Sequence, residues 1–168
     1  VGLTAGVAFD GVGIAEASMG VDAGDFDGDG RIDLVTPCVW GQVFSIYRNE
    51  GTHFTDASLA AGLAAPTSAL TGFSPNLFDY DNDGDPDLYF STAGVRMGEA
   101  ATAEGSWEDR YGLPDLLLAN DGRGRHVDVS RLAGPHFGRR TVGHGSAVGD
   151  IDNDGDLDIV VSNLAGRP

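Results

Sequence analysis

Three nine-residue stretches of this chain carry side chains able to do chemistry. They read Asp25-Phe26-Asp27-Gly28-Asp29-Gly30-Arg31-Ile32-Asp33, then Asp79-Tyr80-Asp81-Asn82-Asp83-Gly84-Asp85-Pro86-Asp87, then Asp150-Ile151-Asp152-Asn153-Asp154-Gly155-Asp156-Leu157-Asp158. Each copy has carboxylates at positions 1, 3, 5 and 9 and a glycine at position 6. A hard cation that gathers roughly six to eight oxygen ligands asks for this arrangement. Alternate residues converge on one point where the chain curls, and glycine takes the positive φ of a sharp turn. Position 7 offers its backbone carbonyl, so Arg31, Asp85 and Asp156 are free to differ in side chain. The expectation is about three bound Ca2+ ions. An unpatterned acidic run is a solvated or disordered segment. Such a run would not repeat its spacing and its glycine, nor lead each time into an apolar stretch.

Other chemistries fit less well. An EF-hand needs a glutamate at position 12 and flanking helices, but position 12 is Thr36, Phe90 and Val161 here and the flanks are β-branched and aromatic. Paired carboxylates can act as acid and base in glycoside hydrolysis. Four or more in one short loop, repeated, make a ligand set rather than a dyad with split pKa values. His53, His126, His136 and His144 show no zinc-type pairing at i, i+4. Ser146 lies in Gly143-His-Gly-Ser-Ala-Val-Gly149, which is not Gly-x-Ser-x-Gly. His144 aligns with Met19 and Phe73 across the repeats, which makes it a packing residue. No catalytic constellation is expected.

The formal charge of -16 is concentrated in the loops, which hold 14 of the 26 acidic residues. Such a surface excludes nucleic acid as a partner, because phosphate binding needs a basic footprint. Cys38 is the single cysteine, so no intrachain disulfide forms, and its place after a strand-like run reads as burial. No apolar stretch is long enough to span a membrane, and the N-terminus shows no signal-peptide pattern.

The elements that position the loops repeat with them. A small-residue strand precedes each loop: Met19–Gly24, Phe73–Phe78 and His144–Gly149. A β-rich run follows each: Leu34–Thr36, Leu88–Ser91 and Ile159–Ser162. Two copies continue with a third strand, Val43–Tyr47 and Leu116–Ala119, and a turn, Asn49–Gly51 and Asn120–Gly122, where Asn and Gly supply αL geometry. A last strand follows at His53–Ser58 and His126–Ser130. Four antiparallel strands per repeat make the unit of a β-propeller blade. The fold class expected is all-β: an incomplete propeller with repeats at about 3–62, 63–134 and 135–168, the last one truncated. The second repeat holds an insert near 95–114 with Glu99, Glu104, Trp107, Glu108, Asp109, Arg110 and Tyr111. Long loops inside a compact repeat are often functional. Trp107 and Tyr111, at i and i+4, are expected to pin this one to the repeat.

The segment Gly24–Leu34, with Tyr47-Arg-Asn-Glu-Gly-Thr-His-Phe-Thr-Asp56 and Ala61-Gly62, resembles the FG-GAP/VCBS repeat of integrin-alpha-type β-propellers. The combination is similar to the propeller part of proteins that also carry an ASPIC/UnbV domain. The resemblance spans nearly the whole chain outside the insert. It implies that Asp25, Asp27, Asp29, Asp33, Asp79, Asp81, Asp83, Asp87, Asp150, Asp152, Asp154 and Asp158 are side-chain ligands and that Arg31, Asp85 and Asp156 give carbonyls. It also implies that the ions are structural and brace a hairpin away from the ligand surface. Pro86 and the insert depart from the pattern. The function implied is a calcium-stabilised extracellular module for binding or adhesion, secreted, periplasmic or at the cell surface, whose partner is a protein or carbohydrate. The alternative is a non-catalytic accessory domain of a larger secreted enzyme. Millimolar extracellular calcium would fill loops of this kind.

Overall fold

A computed structural model describes residues 2–95 and 105–164. It is mostly β. Strands β1 (Asp22–Gly24), β2 (Asp33–Thr36), β3 (Ser45–Asn49) and β4 (Phe54–Asp56) form one antiparallel sheet in chain order. Strands β5 (Gly72–Phe78), β6 (Asp87–Thr92), β7 (Leu116–Asn120) and β8 (His126–Asp128) form a second in the same order. Strands β9 (Gly143–Gly149) and β10 (Asp158–Asn163) make a two-stranded third. The rest is turn, with short helices α1 (Gly2–Ala5), α2 (Ala64–Thr67) and α3 (Trp107–Tyr111) and a 3₁₀ turn at Pro135–Gly138.

The middle sheet is covered on both faces. Leu88 and Phe90 of β6 and Leu116 and Leu118 of β7 pack with Val35, Ile46, Phe44 and Phe26 from the first sheet and its loops. Tyr89 and Leu117, on the opposite face, pack with Phe78 and Val161. This explains the unbroken apolar runs Leu88-Tyr-Phe and Leu116-Leu-Leu, since a strand covered on both faces has no polar side. The first strands of the sheets lie beside one another. The Asp22 carboxylate accepts the Leu77 N–H at 2.8 Å, and Ser146 Oγ donates to the Asn76 side-chain carbonyl. Gly20 touches the Phe73 carbonyl so closely that a Cβ would stand 2.2 Å from it.

Two expectations need correction. Strand β1 is half the expected Met19–Gly24. Its partner β2 ends at Thr36, and Pro37 has no N–H to continue the ladder. Just before β1 the pairing is reduced to an isolated bridge between Ser18 and Cys38. The insert also contains a helix where sequence showed little periodicity. Ser106 caps α3 through a reciprocal capping box with Asp109, each bond at 3.1 Å. That Ser-x-x-Asp signal was readable. The insert is held to the sheet by backbone: the Gly94 N–H donates to the Tyr111 carbonyl at 2.6 Å. Trp107 stays 47 % exposed, stacked on Tyr111 at 5.2 Å with the Arg110 guanidinium over both rings. Glu99 and Glu104 lie outside the described residues.

Candidate metal centre

Each aspartate loop closes the hairpin between the first two strands of its sheet. The three are built from the same bonds. The carboxylate at position 1 accepts two backbone N–H groups, from positions 5 and 6: Asp25 from Asp29 and Gly30, Asp79 from Asp83 and Gly84, Asp150 from Asp154 and Gly155, at 2.8–3.2 Å. The carboxylate at position 5 accepts the N–H of position 7: Asp29 from Arg31, Asp83 from Asp85, Asp154 from Asp156. Position 9 accepts the N–H of position 2: Asp33 from Phe26, Asp87 from Tyr80, Asp158 from Ile151.

The curl needs two left-handed residues, not one. Position 6 has φ of 84°, 96° and 99° at Gly30, Gly84 and Gly155, and position 4 has 73°, 61° and 60° at Gly28, Asn82 and Asn153. Asparagine is the residue that tolerates αL after glycine. The Gly/Asn/Asn pattern at position 4 was a readable signal that the expectation for glycine at position 6 alone passed over.

Carboxylate oxygens gather within 4.8 Å of one another in each loop: Asp25, Asp27 and Asp29 in the first, Asp79, Asp81 and Asp87 in the second, Asp150, Asp152 and Asp158 in the third. The structure thus brings together three of the four carboxylates expected in each copy. Asp33, Asp83 and Asp154 stand outside these groups. The Asp33 carboxylate is occupied by the N–H groups of Phe26 and Asn49, at 3.1 and 2.7 Å. The position 7 side chains lie elsewhere. Arg31 pairs with Asp29 and donates to the Asn49 carbonyl, whereas the Asp85 carboxylate rests 2.8 Å from where a Gly122 Cβ would be. Asp156 is exposed.

The residues fit a hard cation. Asp27 Oδ1 is buried without a hydrogen-bond partner, an oxygen that a cation would satisfy. All gathered donors are carboxylate oxygens, the donor class for calcium. Among the described residues no such group contains a histidine or cysteine. Asp33 and Asp87 are each 1 % exposed. Burial is the main reason their carboxyls titrate above the usual range, with repulsion from the nearby aspartates adding to it and backbone N–H bonds opposing it.

Sequence reading missed Asn49 and Asn120. Only Gly51 and Gly122 of those turns have positive φ; the asparagines remain in β3 and β7 and latch the loops. The Asn49 N–H donates to Asp33 Oδ1 and its side-chain amide to the Ile32 carbonyl at 2.9 Å. Asn120 repeats both bonds to Asp87 Oδ1, at 2.8 Å, and to the Pro86 carbonyl, at 2.9 Å. The recurrence of Asn-x-Gly was visible, but bonds across about 16 or 33 residues were not.

The histidines have other surroundings. His126 is buried beneath Phe26, rings 6.3 Å apart; His136 bonds Asp115 at 3.0 Å; His144 packs on Phe73 with ring centroids 4.1 Å apart. Cys38 is fully buried, and burial pushes its thiol up to about 11. No protein-family model matches the chain. No curated protein matches it either.

Proposed function

We propose that the chain is a calcium-binding module of stacked β-propeller blades of the FG-GAP/VCBS kind, serving as an extracellular scaffold for binding or adhesion. One observation carries this reading: the same three-way bonding of positions 1, 5 and 9 recurs in three loops, and each gathers carboxylate oxygens within 4.8 Å. Repulsion among gathered carboxylates opposes folding, and a divalent ion turns it into attraction. The ion would sit among the gathered oxygens: those of Asp25, Asp27 and Asp29 in the first loop, Asp79, Asp81 and Asp87 in the second, and Asp150, Asp152 and Asp158 in the third. In two of the sheets the position 9 aspartate, Asp33 or Asp87, also holds the third strand through Asn49 or Asn120. Calcium is therefore a brace, and no reaction is assigned to it. The stacking of sheets with adjacent first strands supports the blade reading. Among the described residues no helix is long and apolar enough to cross a membrane.

Thermal unfolding with and without a chelator tests the brace. A ligand that binds only the folded state raises its melting temperature by mass action. The expected result is a higher midpoint in millimolar calcium than in chelator. Identical midpoints would remove the structural role.

A further inference from the structure

The peptide units that lead into two of the gathered aspartates share one partner. Asp27 follows the Phe26 carbonyl in the first loop, and Asp87 follows the Pro86 carbonyl in the second. The side-chain amide of Asn120 donates to both carbonyls, each at 2.9 Å. Its backbone N–H donates to Asp87 Oδ1 at 2.8 Å. Asn120, Phe26 and Asp87 are all buried, so water has little access to these bonds.

The turn after Asn120 is pressed between the same two loops. The Asn120 side-chain oxygen accepts the N–H groups of Gly122 and Gly124, at 3.2 and 3.1 Å. A Cβ on Gly124 would stand 2.9 Å from the Phe26 ring and 3.1 Å from Asp27 Cβ. A Cβ on Gly122 would stand 2.8 Å from the Asp85 carboxylate. The backbone thus closes on the first loop at one glycine and on the second loop at the other.

Filling one loop has two effects on its neighbour. Charge opposes a second ion, because the first lessens the negative field there, and physiological salt screens that effect over about 8 Å. Packing favours the second ion. An ion that fixes an aspartate fixes the peptide before it and the amide of Asn120 bonded to that peptide. The other loop then has less conformational freedom left to lose. The two effects differ in sign, so the sign of the coupling identifies its origin.

We infer, on the calcium reading above, that the first and second loops bind calcium with positive cooperativity and that Asn120 is the residue that couples them. Each ion raises the affinity for the other by the same factor, as linkage requires. That factor is at least about five, the lower end of couplings between sites. The pair therefore fills over a narrower range of calcium than separate sites, and the contact between the first and middle sheets tightens over that range.

The test uses the whole chain with the third loop disabled by Asp150→Asn, so that two sites remain. Adding Asp79→Asn leaves the first loop alone, and adding Asp25→Asn leaves the second. Calorimetric titrations of calcium at physiological salt give the affinity of each loop by itself and of the pair. Coupling predicts that the product of the pair's two association constants exceeds the product of the single-loop constants at least about fivefold. Asn120→Ala should remove the excess. Amide exchange is a second readout that keeps Asn120 in place. In the protein with Asp25→Asn, calcium in the second loop should slow exchange at residues 26–28 of the first. Equal products, or a smaller product for the pair, overturn the inference and leave the calcium reading standing. An excess that survives Asn120→Ala overturns the role of Asn120. Where the alanine variant does not fold, exchange decides, and first-loop amides unchanged by calcium in the second loop overturn the coupling. Single-loop proteins that take up no calcium overturn the calcium reading and this inference with it.

Discussion

The side-chain amide of Asn120 reaches the carbonyl of Phe26, 94 residues earlier in the chain, at 2.9 Å. The same amide holds Pro86, and its oxygen accepts the N–H groups of Gly122 and Gly124. One buried residue therefore joins the third strand of the middle sheet, its own aspartate loop and the loop of the preceding sheet. Phe26 completes the joint: its ring covers Gly124, where a Cβ would stand 2.9 Å from it.

Replacing this residue should be costly. Asn120→Ala leaves the Phe26 and Pro86 carbonyls and two turn N–H groups without partners, and should cost about 2–4 kcal/mol. Asn49→Ala lacks the bond between sheets and should cost about 1 kcal/mol. Urea unfolding of both variants measures the difference. Equal losses would show that the junction through Phe26 contributes nothing.

The four-strand repeat and the loops were legible in sequence, because each is a local pattern of spacing or apolar run. The joint was not. Asn49 and Asn120 end strands β3 and β7 in Asn-x-Gly runs of ordinary composition, and what sets them apart is a partner that only the folded sheet order brings near. The outcome at position 9 has the same cause. Asp33 and Asp87 look identical to the other ligand positions in sequence, yet burial and two backbone N–H groups give each carboxylate a structural task as well.

Stability should depend on pH through His126. It is 3 % exposed, and burial lowers its ring to about 4 from the usual 6.5. Between these values the unfolded chain binds the proton and the folded one does not, so stability is full above about 6.5 and falls as pH drops towards 4. The contribution is about 3 kcal/mol. His126→Phe keeps a ring beneath Phe26 and should flatten the slope of unfolding free energy between pH 6.5 and 4 by that amount. An unchanged slope contradicts a neutral, buried His126.

Asp33 and Asp87 act in the opposite sense. Their raised folded pKa values give stability that is present below the unfolded carboxylate value and lost as pH rises through the folded one. Calcium requires the ionised form, so its stabilising effect should grow as pH rises through that same interval. Melting scans across pH, with and without calcium, should therefore diverge with increasing pH. A constant gap would mean that the ion does not engage Asp87, which belongs to a gathered group.

The left-handed position 4 makes a local prediction. Asn82→Ala and Asn153→Ala force a β-carbon residue into αL without the side-chain compensation of asparagine, at about 1 kcal/mol each. Asn82→Gly should retain the loop. Calcium affinity is the readout, reduced several-fold by alanine and nearly unchanged by glycine. Equal affinity for alanine and glycine would show that the curl does not set the site.

The central claim is that the aspartate loops are calcium sites. Calorimetric titration of calcium into metal-free protein tests it most directly, with Asp25→Asn, Asp79→Asn and Asp150→Asn run beside it. Each of these substitutions removes the carboxylate that accepts the N–H groups of positions 5 and 6. The account predicts about three sites and the loss of about one with each substitution. No heat of binding at millimolar calcium, or a stoichiometry that none of the three changes, would contradict it.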